Sequence, residues 1–245
     1  MRRIDQRKRL PAWAWLLFAC VGLIGLLGLL LGLASLLNIG GPGRLGKLLM
    51  GDGGTVDPPG DPHAFDPVAR YAEVASYAGA GVSLLRLQAD QVRSDGRLDL
   101  TADYRPSPRV QYDFVREVAA PADAPPLGAG APEDGRWHQR IVVNVGKPDI
   151  MRHERKVSGN AITERNYVVR GMERHADEPS GATVEAAIAP PTCPLQGLWQ
   201  QAIARGVPAT AVASIGYDRD GYDFAIRGTH TSLHFAPDCA LQPED

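Results

Sequence analysis

The chain lacks every short signature by which a sequence alone declares catalysis. No Gly-x-Ser-x-Gly occurs, so the nucleophile elbow of the α/β-hydrolases is absent. No Ser-x-x-Lys occurs either, although "VSGN" around Ser158 resembles one element of the penicillin-binding proteins. There is no phosphate-binding loop, and His153-Glu154 is not followed by the second histidine of a zincin helix. Lysine is scarce, with four residues in 245. Aromatic residues do not interleave with the basic ones, which argues against a nucleic-acid partner.

Charge is missing altogether between Leu10 and Gly43. Within that span "WAWLLFACVGLIGLLGLLLGLASLL" gives 25 almost continuously apolar residues. About 20 suffice to cross a bilayer core. Arg2, Arg3, Arg7, Lys8 and Arg9 precede the run, and only Arg44 and Lys47 follow closely. That bias predicts an N-terminus inside and the rest outside, with Trp13 and Trp15 at the interface. The run is too long for a cleaved signal peptide, and "SLLNIGG" offers no small-residue cleavage site. Cys20 lies mid-run and reads as an apolar membrane residue, not a lipidation site. Gly25, Gly28 and Gly32 form a small-residue stripe suited to self-association of the helix.

The expected organisation is a cytoplasmic tail at 1–10, a transmembrane helix at 11–38 and a flexible Gly/Pro-rich linker at 39–65. An exported domain follows at 66–245. This places the protein in a bacterial cytoplasmic (inner) membrane, with its C-terminal domain periplasmic or extracellular.

In that domain Asp66, Pro67 and Gly79 bracket a helix. "VSLLRLQAD", "RLDLTADY" and "RVQYDFV" read as strands, the last two with clean period-two alternation. Pro194 and Gly206 bracket a second helix, in which Leu195, Leu198, Trp199, Ala202 and Ile203 form one apolar face. "TAVASIGYD", "YDFAIRG" and "HTSLHF" follow as strands. The order helix–strand–strand–strand thus occurs twice, over 66–114 and 193–239, as a degenerate duplication of an αβββ unit would give. "RWHQRIVVNVG", "RNYVVRGM" and "ATVEAAIA" supply further strands, and 115–135 reads as a long loop. The predicted fold class is α+β: mainly antiparallel sheet with two covering helices. In outline the C-terminal unit resembles the PepSY-type modules of bacterial envelope proteins; the resemblance is one of shape and carries over no residue or activity.

"SIGYDRDGYDF" at 214–224 groups three aspartates around Gly221. Calcium loops space their oxygens at positions 1, 3 and 5 and end on a bidentate Glu at 12. Counting from Asp218, Gly221 falls at 4 and Thr229, not a glutamate, at 12, so Asp220-Gly221 is read as a hairpin turn. His230 and His234 alternate with Thr231 and Leu233, so they are expected on the wet face of a strand, too far apart to share an ion. No cofactor or metal is expected.

Only Cys193 and Cys239 lie outside the apolar run, and in an oxidising compartment such a pair reads as a disulfide. Charge is also uneven. Residues 136–174 carry nine basic and four acidic side chains, whereas the chain from Arg44 onward is net −6. Arg136, Arg140, Arg152, Arg155, Lys156, Arg165, Arg170 and Arg174 are therefore candidate contacts for an anionic partner. The sequence points to a membrane-anchored binding or assembly module with a protein partner. The alternative is an envelope-acting enzyme whose site is assembled only in space.

Overall fold

Val110, Tyr112 and Phe114 alternate with polar residues, and this alternation sets a strand at the centre of the molecule. Successive side chains of a strand point to opposite faces, so all three enter one core. In the computed structural model, which describes residues 54–121, 135–158 and 161–243, each of the three is fully buried. The basic tail, the apolar run with Gly25, Gly28 and Gly32, and residues 39–53 lie outside the described residues. Among the described residues no helix is long and apolar enough to cross a membrane.

The elements, in chain order, are α1 (Tyr71–Ala78), β1 (Ser83–Val92), β2 (Arg109–Val118), β3 (Trp137–Val145), β4 (Ile150–Ser158), β5 (Ala161–Val169), β6 (Met172–Ala176), α2 (Leu195–Ile203), β7 (Ala213–Asp218), β8 (Gly221–Ile226) and β9 (Ser232–Phe235). Seven strands form one antiparallel sheet in the order β6-β3-β2-β1-β7-β8-β9. β4 and β5 pair only with each other, as a separate two-stranded ribbon.

Directly paired residues share a face of the sheet. Phe114 lies opposite Ile141 and Leu84, and Ile215 opposite Phe224 and Ala89. Both helices pack on this one face. Tyr71 of α1 sits 6.1 Å from Phe114, and Trp199 of α2 meets Phe224 edge-on at 5.0 Å. The expected antiparallel α+β architecture with two helices is the observed one.

Several boundaries differ from the sequence reading. The linker does not extend to residue 65. Val56 exchanges two backbone hydrogen bonds with Met172, and Phe65 does the same with Leu98 and is buried. Low hydrophobic periodicity concealed these contacts because single residues, not an amphipathic run, make them. Asp66 caps the turn ahead of α1, its Oδ1 accepting from the Val68 and Ala69 N–H groups at 3.0 Å, and the helix itself begins at Tyr71.

"RLDLTADY" is a loop, not a strand. Leu98 and Leu100 do alternate into the core, but their backbone partners are Phe65 and Pro62, which offer single bridges and no ladder. "ATVEAAIA" is likewise irregular, with only Ile188 bridged. "RNYVVRGM" is broken by Gly171 at φ +118°, where a Cβ would lie 2.7 Å from Pro58, so β5 stops and β6 begins. The helix–strand–strand–strand order therefore spans 71–145 and 195–235, not 66–114 and 193–239. Its two meanders meet through β1 and β7.

Of the three aspartates, Asp218 and Asp220 form the β7–β8 turn, and Asp223 lies within β8 opposite Gly216. Arg219 and Asp220 are its central residues, Asp218 pairs with Gly221, and Asp218 Oδ1 accepts from the Asp220 N–H at 2.9 Å. Gly221 has φ +119°, and a Cβ there would lie 2.1 Å from the Phe235 carbonyl oxygen. His230 lies in the loop before β9 and not in the strand as expected, while His234 is in β9 beside Asp223. Cys193 and Cys239 are disulfide-bonded, joining the start of α2 to the segment after β9.

Two outcomes follow. Gly221→Val should destabilise the fold by about 2 kcal/mol or more in urea unfolding, since both φ and a backbone clash oppose it. Asp218→Asn with Asp223→Asn should leave the midpoint nearly unchanged. The disulfide closes a segment of 46 residues. A Cys193→Ser, Cys239→Ser double variant should lose roughly 4 kcal/mol in the chain-entropy description. Equal stability, or two reactive thiols in the denatured, unreduced protein, would contradict the clasp.

Candidate binding site on the open sheet face

The face of the sheet away from the helices carries the alternate residues of the same strands. On β1 these are Arg86, Gln88 and Asp90, on β2 Gln111, Asp113 and Val115, and on β3 Arg140. One of them is anomalous. Asp113 is 2% exposed, and a buried carboxylate is tolerated only when paired.

Its pairing is complete. Asp113 Oδ2 accepts from Arg86 Nη2 at 2.8 Å and from Arg140 Nη2 at 2.7 Å, while Oδ1 accepts from Gln111 Nε2 at 2.9 Å. β1 and β3 flank β2, so the two arginines reach the central carboxylate from either side. Burial alone would push the Asp113 carboxyl up. Hydrogen bonds from Gln111, Arg140 and Arg86 outweigh it and hold the group below the usual carboxylate range. The same bond raises the Arg140 guanidinium above its ordinary value. Both guanidiniums remain about half exposed, with donors left for a ligand.

A strap covers this cluster. After β6 the chain follows the β3 edge, where the Asp177 N–H donates to the Arg140 carbonyl and Ser180 exchanges two hydrogen bonds with His138. It then crosses the open face and reaches β1, where the Ile188 N–H donates to the Leu84 carbonyl. The Tyr217 hydroxyl holds the strap's exit by donating to the Ala189 carbonyl. Between strap and sheet lies a cavity of about 480 Å³, floored by Arg86, Asp113, Val115 and Arg140 and walled by His138 and by strap residues that include Asp177, Glu178, Ser180 and Glu185. His138 Nδ1 is buried there without a hydrogen-bond partner among the described residues. A hollow of about 230 Å³ continues past Arg86 and Glu185 to the β7–β8 turn.

The floor presents two guanidiniums against one carboxylate, and the strap adds Asp177, Glu178 and Glu185. Such a lining accepts a ligand with both an anionic and a cationic group. Its volume is that of ordinary ligand pockets. Beside it, Gln88 Nε2 donates to Ser214 Oγ, which donates to Asp90, and Arg109 closes the row on the same carboxylate.

The basic residues singled out from the sequence do not form one band. Only Arg140 lines the cavity. Arg136 pairs with Glu117, Arg152 with Glu173, Arg155 with Glu164 and Arg170 with Asp57. Arg174 points to the helix side, its Nε donating to the Ala78 carbonyl at the end of α1. Lys156 and Arg165 stand on the ribbon, opposite Thr163 and Glu154 in register. Arg86 and Asp113 were missed. Their signal was a charge set inside the apolar stretches "SLLRL" and "YDFV".

Among the described residues no group of three His, Cys, Asp or Glu side chains is placed to hold a metal ion. No protein-family model, no curated protein and no solved structure matches this chain.

The cluster fixes a pH response. A carboxyl held low in the folded state contributes stability above its unfolded value, near 4, and that stability is lost as pH falls toward the folded-state value. Urea midpoints should therefore fall below about pH 4, with a shallower fall in Asp113→Asn. At neutral pH that variant should cost about 1–3 kcal/mol. Arg86→Gln with Arg140→Gln should cost more, about 3–5 kcal/mol, because it strips a buried carboxylate of its partners. Equal costs would show that the carboxylate is not effectively buried.

Proposed function

We propose that this is a single-pass membrane-anchored envelope protein. Its exported domain is a non-catalytic binding module that holds a protein partner on the open sheet face. The long uncharged run after a basic tail supports the anchor and its orientation. The Cys193–Cys239 bond supports an oxidising compartment for the domain, since such bonds persist chiefly outside the cytosol. The mirrored meanders support a duplicated αβββ unit over 71–145 and 195–235.

One observation carries the binding assignment: Arg86 and Arg140 are fixed on a single oxygen of Asp113 at the floor of a strap-covered cavity. Two guanidiniums already ordered by a buried carboxylate need not be ordered again on binding, which lowers the cost of recognition. They suit a carboxylate of the partner, from an acidic side chain or a chain end. The acids of the strap suit a neighbouring basic group.

The test uses the full chain in its own membrane. The protein should resist alkaline extraction and expose its C-terminal domain to protease added to spheroplasts. A partner should co-purify in mild detergent, and Glu178→Arg with Glu185→Arg should release it without lowering the melting temperature, because both side chains are exposed. A partner retained unchanged by that variant would remove the cavity from the interaction. Protection of the domain from protease would overturn the topology.

A further inference from the structure

The cavity under the strap does not end at its two arginines. Leu85, Arg86 and Glu185 line both the cavity and the hollow of about 230 Å³ beside it, so the two make one groove. The groove runs across the strands, from Arg140 on β3 past Asp113 on β2 and Arg86 on β1 to the β7–β8 turn. The strand register follows the same line. Arg86 pairs with Asp113 on one side, and on the other Leu87 pairs with Tyr217, which sets Arg86 beside Asp218. From β2 to β7 are two strand spacings, about 10 Å, which an extended chain covers in about three residues.

Charge is ordered along the groove. Arg86 and Arg140 both donate to one oxygen of Asp113, so the three groups together carry a single positive charge. One added carboxylate brings that sum to zero. A phosphate monoester, with a charge near −2 at neutral pH, would carry it past zero beside the strap acids Asp177, Glu178 and Glu185. At the far end Glu185, Asp218 and Asp220 stand against Arg219 alone once Arg86 is engaged. An anionic group of the ligand thus belongs at one end of the groove and a cationic group at the other.

The strap decides which form of carboxylate reaches the floor. It is tied at both ends, by the paired hydrogen bonds of Ser180 with His138 and by the bond from the Ile188 N–H to the Leu84 carbonyl. Ala182, Val184 and Glu185 line the cavity between those ties. An acidic side chain holds its carboxylate close to its own backbone. To reach Arg86 and Arg140 it must bring chain leading both ways beneath a tied segment. A C-terminus brings its carboxylate on a single run of backbone and enters from the side. The partner's chain end fits this groove, and a loop on its surface does not.

We infer that the groove takes the C-terminus of the partner, about three residues long in the extended form. Its terminal carboxylate lies on Arg86 and Arg140, and a Lys or Arg side chain of the third residue from the end lies beside Asp218, Asp220 and Glu185. The inference rests on the reading of the open face as a protein-binding surface and names the part of the protein that is bound. Capture of a chain-end carboxylate by fixed donors is a recurrent mode of peptide recognition. Here two guanidiniums supply the donors as charge-assisted pairs. The acidic end sets the sequence preference by accepting a base and opposing an acid.

The experiment measures the fluorescence anisotropy of labelled peptides on the full chain in mild detergent. The probe is Gly-Gly-Lys-Ala-Ala with fluorescein on its N-terminus. With a free C-terminus it should bind about tenfold or more tighter than its C-terminal amide, as the loss of charged hydrogen bonds implies. It should also bind several-fold tighter than Gly-Gly-Glu-Ala-Ala. Arg140→Gln should remove the difference between acid and amide. Glu185→Arg, at an exposed position, should remove the preference for Lys without moving the melting temperature, and it decides the matter if Arg140→Gln fails to fold. Acid and amide bound equally, or neither bound, would overturn the chain-end assignment. The open-face reading would then still stand if Glu178→Arg with Glu185→Arg released the co-purifying partner, and would fall with it if the partner stayed. Acetate or free alanine bound as tightly as the peptide would make this a site for small carboxylates and refute the inference. Tighter binding of an amidated phosphoserine peptide would refute the charge balance on which it depends.

Discussion

The antiparallel pairing of β1 with β7 holds the molecule together as one sheet. Each strand begins a three-stranded meander, and each meander carries one helix on the same face. Without this seam the two halves would expose long strand edges and half a core each. The ladder from Leu87 opposite Tyr217 to Val92 opposite Ala213 closes both edges at once. It also brings Asp90 and Ser214 together, so the seam is bridged by side chains as well as by backbone.

That central position makes the surrounding packing tight. Two glycines of positive φ sit where backbone approaches backbone: Gly221 beneath the Phe235 carbonyl, and Gly96 against the Gln196 nitrogen at the start of α2. The disulfide works at the same end of the fold, fixing the start of α2 to the chain beyond β9. Turns, which tolerate change in most proteins, are here sites of close contact. The conformational freedom of glycine is needed for approach as much as for bending.

The open face follows a different logic. A carboxylate at the middle of a sheet carries a desolvation cost that a leucine would not. Here three donors offset it and two of them are arginines, so the cluster fixes two cationic groups at the floor of a cavity. The strap completes that cavity because the chain, leaving β6 at one edge, must return to the helix side across the sheet. Topology therefore covers the polar cluster, and the covering segment brings its own acids.

The sequence by itself determined the antiparallel α+β class, most strands, both helices and the disulfide. Those features are local patterns, or a pairing left by elimination. Period two in "RVQYDFV", an apolar stripe in "LQGLWQQAI" and two cysteines beyond the apolar run require no knowledge of neighbours. The tertiary structure alone decided the rest. "RLDLTADY" has the alternation of a strand, yet its neighbours are single residues of the segment 62–65, so no ladder forms. Arg140 was legible as basic, but its role depends on Asp113 one strand away and on Arg86 two strands away. The basic residues of 136–174, contiguous in sequence, are divided among the two faces of a sheet and a ribbon. A strand reverses the direction of its side chains at every residue and the chain reverses at every hairpin, so nearness in sequence does not become nearness in space.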